Sequence, residues 1–146
     1  MRLEATQRTD LAKRAIDALD RDGRGLKGPD LARRIGTTIH YLPHVMRPLV
    51  TSGWVTSEPG PAGGYRLDPS AQAGTMLELI EAVEGPVDDG KCVLHHAACP
   101  SPEPCALHET WKRARDVMAA ELRAVPLLDH TGTPGGGTGT TKGGNQ

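Results

Sequence analysis

The sequence predicts a mainly α fold with a small β wing: a winged helix-turn-helix domain plus a long C-terminal dimerisation helix. Three observations predict it. Two helical stretches meet at a glycine-containing turn (28–53), a Pro/Gly-rich hairpin follows them (54–67), and a late amphipathic stretch (105–125) carries a near-heptad apolar stripe. Helix, helix, turn, helix, hairpin is the element order of a winged helix. An αα-hairpin packed on an unrelated hairpin would share that order without any nucleic-acid role.

Each element has its own signal. In "TDLAKRAIDALDRDG" (9–23), Leu11, Ala12, Ala15, Ile16 and Leu19 fall on one helical face, with Thr9 or Asp10 as cap and Gly23 as terminator. "GPDLARRIGT" (28–37) opens a short helix near Pro29 and stops at Gly36. Thr37 or Thr38 then caps "TIHYLPHVMRPLVTSG" (38–53), whose inward stripe is Leu42, Val45, Met46, Leu49 and Val50. Pro43 lies inside that helix as drawn, where it would remove a hydrogen bond and kink the first turn. "WVTSEPGPAGGYRL" (54–67) reads as two strands around a long tip, with Trp54 and Tyr65 packing rather than contacting a partner. "GTMLELIEAVEG" (74–85) is a further helix with Met76, Leu77, Ile80 and Val83 apolar. In the last helix the stripe is Leu107, Trp111, Ala114, Met118 and Leu122, suited to a dimer seam or to packing on its own domain. From His130 the chain is Gly/Thr-rich and is expected to lack order. The organisation is therefore 1–70 winged helix, 71–128 cysteine loop with dimerisation helices, and 129–146 disordered tail.

Composition narrows the function. At 146 residues, with no Phe, two Trp and two Tyr, the core must rest on aliphatic side chains, and such a core is often shared with a partner subunit. Net charge is −1, but residues 1–70 carry 11 Lys/Arg against 8 Asp/Glu, and residues 71–146 carry 6 against 10. A basic first half and an acidic second half suggest two tasks. No signal-peptide pattern or membrane-length apolar run is visible, so a cytoplasmic protein without a membrane partner is expected. There thiols stay reduced, and three cysteines fit a disulfide framework poorly.

All three cysteines lie in "GKCVLHHAACPSPEPCALHETW" (90–111), spaced Cys92-x6-Cys99-x5-Cys105-x2-His108. A structural zinc site usually uses tighter C-x2–4-C knuckles. Thiolates spread along one wrapping loop suit an iron–sulfur cluster, whose irons lie apart. Pro100, Pro102 and Pro104 stiffen the loop. A Cys3His zinc site remains the competitor, and His95 and His96 read as solvated loop residues. No phosphate loop, paired carboxylates or CxxC is present, which leaves a small iron–sulfur redox protein as the weaker, different-class alternative and argues against an enzyme.

The combination resembles the Rrf family of bacterial winged-helix regulators over about residues 1–125. The resembling residues are "MRL", "TDLA" (9–12), "YL" (41–42), "GWV" (53–55), "GGYRL" (63–67) and the three-cysteine loop, with "CALHETW" matching the Cys-x-x-His-x-x-Trp of the family's cluster-regulating branch. Departures are an insertion before Thr9, a long first cysteine gap, and a wing with Glu58 and two prolines where Arg is usual.

The resemblance implies a homodimeric repressor-type transcription regulator. It would bind a double-stranded DNA operator of two-fold symmetry and sense redox state, iron–sulfur status or nitric oxide through a cluster. Its ligands would be Cys92, Cys99, Cys105 and His108 on a two-iron, two-sulfur (2Fe-2S) cluster. The nitric-oxide-sensing branch implies instead Asp10 of the partner chain, on a four-iron, four-sulfur (4Fe-4S) cluster. DNA would be met by Thr38, His40, Tyr41, His44 and Arg47 at base edges or phosphates, by Arg33 and Arg34 at phosphates, and by Gly63 and Gly64 in the wing. For each of these the plain reading is an ordinary solvated surface.

Overall fold

The computed structural model describes residues 4–95, 97–99 and 103–129. Its element order is α1 (Gln7–Asp22), α2 (Gly28–Ile35), α3 (Leu42–Thr51), β1 (Val55–Glu58), β2 (Gly64–Leu67), a 3-10 turn (Pro69–Ala73), α4 (Met76–Glu84) and α5 (His108–Ala124). The tail from His130, expected to lack order, lies outside the described residues, as do His96, Pro100 and Pro102.

α1 begins earlier than its apolar stripe. Thr6, not Thr9 or Asp10, is the N-cap, its hydroxyl accepting from the Thr9 amide, and Gly23 ends the helix in the left-handed region at φ 70°. Thr9 is instead buried and its hydroxyl donates to the Glu84 carboxylate of α4. The stripe misled because the first turn is polar and its one inward residue is a threonine. α2 ends at Gly36 as its sequence indicates.

The 38–53 helix is also corrected. The Thr38 hydroxyl and carbonyl accept from the Tyr41 amide, at 3.1 and 3.2 Å, so the cap signal belongs to a separate turn and α3 starts only at Leu42. Pro43, which has no N–H to give Ile39, marks the break and sits harmlessly in the first helical turn. The interior proline is Pro48. Its missing N–H leaves the His44 carbonyl without an intrahelical donor, and Arg8 Nε of α1 donates to that oxygen at 3.0 Å. Leu42, Val45, Met46 and Leu49 face inward, but Val50 is exposed.

β1 and β2 pair antiparallel from Val55↔Leu67 to Glu58↔Gly64. Tyr65 also exchanges two 2.8 Å backbone bonds with Leu26, which ties the wing to the α1–α2 connection. Trp54 is buried and Tyr65 half-buried, so both pack as expected.

α4 opens with a Thr75–Glu78 capping box and buries Leu77, Leu79 and Val83; Leu79 replaces Ile80 of the expected stripe. One hydrophobic cluster joins α1, α2, α3, β1 and α4 with Leu127 and Leu128, which follow α5. That return is stapled to the start of α4 by Met76 N donating to Val125 O (2.9 Å) and Leu127 N to Gly74 O (2.8 Å). α5 itself buries no residue fully. Its half-buried row is His108, Trp111, Arg115, Ala119 and Leu122, whereas Leu107, Ala114, Met118 and Val125 form an exposed stripe beside it. The expected α5 stripe thus divides into a half-buried part, Trp111 and Leu122, and an exposed part, Leu107, Ala114 and Met118. No described helix is long and apolar enough to cross a membrane.

Candidate metal centre and nucleic-acid interface

The cysteine loop folds back before α5 starts. Cys92 N donates to Ala97 O at 2.7 Å and Leu94 N to Cys92 Sγ at 3.4 Å, so Ala97 lies against Cys92 and Cys99 comes back toward it. Cys105 lies in the turn that leads into α5, not within the helix, and the His108 amide donates to its carbonyl at 3.0 Å. The three Sγ atoms converge within 4.8 Å of one another, Cys92 to Cys105 at 3.4 Å and Cys99 to Cys105 at 3.6 Å, and all three thiols are free.

Electrostatics separates these thiols. The Leu94 amide is the largest influence on Cys92 and, with help from the neighbouring thiols and the His95 amide, pulls it down to about 7 despite burial. On Cys99 the Cys105 amide acts downward. Contact with the Cys92 and Cys105 thiols and burial together outweigh it, and the Cys99 pKa lies above the ordinary thiol value. A bound cation must displace the thiol protons, so the lowered Cys92 favours ligation at neutral pH and the raised Cys99 opposes it.

His108 lines the same cavity of about 150 Å³, but the tight donor group among the described residues is the three cysteines alone. His108 Nε2 stands 4.0 Å from Glu109 Oε1. Asp10 sits in the first turn of α1, ion-paired with Arg14 at 2.9 Å, and does not line this cavity in its own chain. Three cations not foreseen from the sequence, Lys91, Lys112 and Arg115, wall the cavity. Lys112 and Arg115 follow His108 at helical spacing, a signal the heptad reading passed over.

Among the candidate DNA-contacting residues, Thr38, His40 and Tyr41 occupy the turn before α3, and His44 and Arg47 occupy one face of α3; all five are exposed. The Tyr41 and His44 rings lie 5.7 Å apart at 37°. Arg33 and Arg34 are exposed near the end of α2, where Asp30 and Asp22 pair with them at 2.9 and 3.8 Å. Such surface pairs are weak enough for a phosphate to displace.

Gly63 and Gly64 have a structural requirement of their own. A Cβ on Gly63 would lie 2.0 Å from the Glu58 carbonyl oxygen, and one on Gly64 2.5 Å from that of Leu26. At the wing base, Arg24, Lys27 and Arg66 line a cavity of about 170 Å³ together with Glu58. Divided between the α1–α2 connection and β2, these cations have no sequence period that could have announced them.

A winged helix with a free thiol triad beside its last helix defines a winged-helix DNA-binding regulator with a candidate metal centre. The chain belongs to the Rrf2 family, whose profile, described as an iron-dependent transcriptional regulator, matches residues 5–131. It is similar to protein rrf2 of Nitratidesulfovibrio vulgaris, 31% identical over 103 residues, or 68% of this chain and 67% of that one. It is similar also to the HTH-type transcriptional regulator IscR of Escherichia coli, 31% identical over 98 residues; that match spans 67% of this chain but only 60% of the IscR length. Among solved structures, CymR, the global cysteine regulator of B. subtilis, superposes with a TM-score of 0.66 at 24% identity, covering 86% of this chain and 94% of that one. T. potens IscR superposes at 0.64 and 18% identity, covering 86% and 83%. These superpositions establish the fold.

Proposed function

We propose that the chain is a cytoplasmic, homodimeric transcription regulator whose grip on a two-fold symmetric DNA duplex responds to occupancy of the Cys92–Cys99–Cys105 site. The group held there would be a 2Fe-2S cluster, with His108 as the fourth ligand. The observation that carries this reading is the convergence of all three thiols within 4.8 Å in a loop that leads directly into α5. A bound iron–sulfur cluster supplies a redox couple whose potential follows its ligands, net charge and hydrogen bonds. The chain's own part is to hold the loop between α4 and α5. Arg115 pairs with Asp88 at 3.3 Å and Glu81 accepts from the Val87 amide at 3.2 Å, so order in the loop bears on how the two helices meet. Occupancy changes DNA affinity only through a difference in stability between two dimer arrangements. The exposed stripe of Ala114 and Met118 on α5, with Leu107 and Val125 at its two caps, supports the dimer. α3 and the turn before it, with Arg47 foremost, would enter the major groove.

Compactness favours a second reading. A single tetrahedral ion with metal–sulfur bonds of about 2.3 Å holds its thiolates about 3.8 Å apart. The observed 3.4 and 3.6 Å separations lie close to that, whereas thiolates on different irons must spread. The competing occupant is therefore zinc, ligated by the three cysteines and His108.

Purification without oxygen separates the two. A coloured protein containing iron and sulfide supports the cluster, and a colourless one with one zinc per chain supports the ion. Cys92→Ala, Cys99→Ala or Cys105→Ala should each abolish either signal while the chain, whose main hydrophobic cluster contains none of the three cysteines, still folds. His108→Ala should disturb the cluster spectrum far more than Asp10→Ala; the reverse result would favour the partner's aspartate and a 4Fe-4S cluster. Arg47→Ala should weaken DNA binding without altering that spectrum, and affinity should fall steeply with salt through counterion release. A monomer with no preference for any DNA over competitor would defeat the regulator reading.

A further inference from the structure

Arg115 stands out among the cations around the thiol cavity. Lys91 pairs with Asp89 at 3.3 Å and Lys112 with Asp116 at 3.2 Å, both through their only polar atom. Arg115 pairs with Asp88 through Nη1, but its Nε is fully buried and has no hydrogen-bond partner among the described residues. A buried N–H left unmade is costly, on the order of 1–3 kcal/mol, so such an atom calls for a partner. Besides Asp88, already engaged by Nη1, the side-chain acceptors lining this cavity are the His108 imidazole and the thiols of Cys92, Cys99 and Cys105, and neutral thiols accept weakly. Ligation of a cation turns them into thiolates, which accept charge-assisted bonds well.

Resting on the metal-centre reading above, we propose that Arg115 is the positioning residue of that centre: its Nε donates to a metal-bound thiolate, while the Asp88 ion pair fixes the guanidinium. The orphaned donor is then a feature of the metal-free protein that is satisfied on loading. The same residue ties α5, through Asp88, to the strand of chain that leads into Cys92. Loading would therefore strengthen a contact between the loop and α5 that already exists in weaker form.

Cobalt(II) alone, added to the reduced, metal-free full chain, is a suitable probe because thiolate ligation gives an intense charge-transfer band. Outer-shell hydrogen-bond partners typically change metal affinity by about 10- to 100-fold. Arg115→Met should therefore bind cobalt at least about tenfold more weakly, and its charge-transfer band should move to lower energy, because an unbonded thiolate donates its electrons more readily. Asp88→Asn, which keeps Nε, should weaken binding less and leave the band in place. Should Arg115→Met fail to fold, Arg115→Lys, which can still reach Asp88 but has no Nε, must show the same band shift. Unchanged affinity and band position in a folded Arg115 variant would overturn the proposal. Absence of any thiolate–cobalt band in the parent chain would overturn the metal-centre reading, and this proposal with it.

Discussion

Gly64→Ala separates a glycine that touches DNA from one that the fold requires. Gly64 adopts φ 154°, in the region an alanine avoids, and an added Cβ would lie 2.5 Å from the Leu26 oxygen, 3.0 Å from its carbonyl carbon and 3.1 Å from Lys27 Cα. No flexible side chain can yield, because all three atoms are backbone. The wing must move away from the α1–α2 connection, breaking the two 2.8 Å bonds between Leu26 and Tyr65. At about 0.5–1.5 kcal/mol per bond, with about 1 kcal/mol for the strained φ, the loss is about 2–4 kcal/mol. For a chain of this size that is a fall in Tm of about 6–15 °C. Gly60→Ala is the control, since at φ 96° with nothing within 4 Å of its Cβ it meets strain alone. Thermal unfolding of the metal-free protein, alongside DNA titration at fixed salt, reads both effects. A Gly64→Ala protein that binds DNA poorly yet melts within a degree or two of the parent would refute the packing argument and restore Gly64 as a contact residue.

Three further outcomes test other junctions. Burial pushes the Glu84 carboxyl up, but hydrogen bonds from Thr9 and Thr6 outweigh it and leave its pKa below the ordinary 4.5. This depressed carboxylate contributes stability that is complete above its unfolded pKa and lost as pH falls through its lower folded value. Glu84→Gln should flatten the acid limb of a stability–pH profile, and an unchanged limb would count against the Thr9–Glu84 clasp. In the reduced, metal-free chain, ultraviolet titration should show one thiolate forming near pH 7, lost in Cys92→Ser, and another forming above the ordinary thiol value of 9; three coincident titrations would contradict the loop geometry. Met118→Glu, placed in the exposed α5 stripe, should yield a monomer by sedimentation while the isolated fold keeps its helicity, and an unaltered dimer would move the interface elsewhere.

The sequence was most informative where a periodic apolar face or a glycine terminator had to be satisfied locally. Gly23 and Gly36 end α1 and α2, and the wing strands lie where "WVTSEPGPAGGYRL" indicates. It was least informative where one local signal admitted two uses. Thr38 caps a turn rather than a helix, and Thr9 faces a carboxylate 75 residues away rather than its own helix end. The Leu127–Leu128 anchor was invisible because two leucines have no period, and only the return past α5 brings them to Gly74. The cysteine spacing pointed to the three thiols as one group but not to their compactness, which depends on the contact of Cys92 with Ala97.

Pro48 supplies a final prediction that no single-residue reading contains. Within α3 it withholds the N–H that the His44 carbonyl would otherwise receive, and Arg8 reaches from α1 to fill that vacancy at 3.0 Å. The bond is exposed, so Arg8→Met should cost only about 1 kcal/mol. Its importance is positional, because His44 and Arg47 ride on the turn of α3 that Arg8 holds against α1. Pro48→Ala restores the intrahelical donor and makes Arg8 redundant at that oxygen. A double-mutant cycle should therefore show coupling of about 0.5–1 kcal/mol, Arg8→Met costing less in the Pro48→Ala background than alone. The fall in DNA affinity caused by Arg8→Met should shrink in the same background. Strict additivity in both stability and affinity would mean that Arg8 and Pro48 act independently, and that the recognition surface is held by the apolar core of α3 alone.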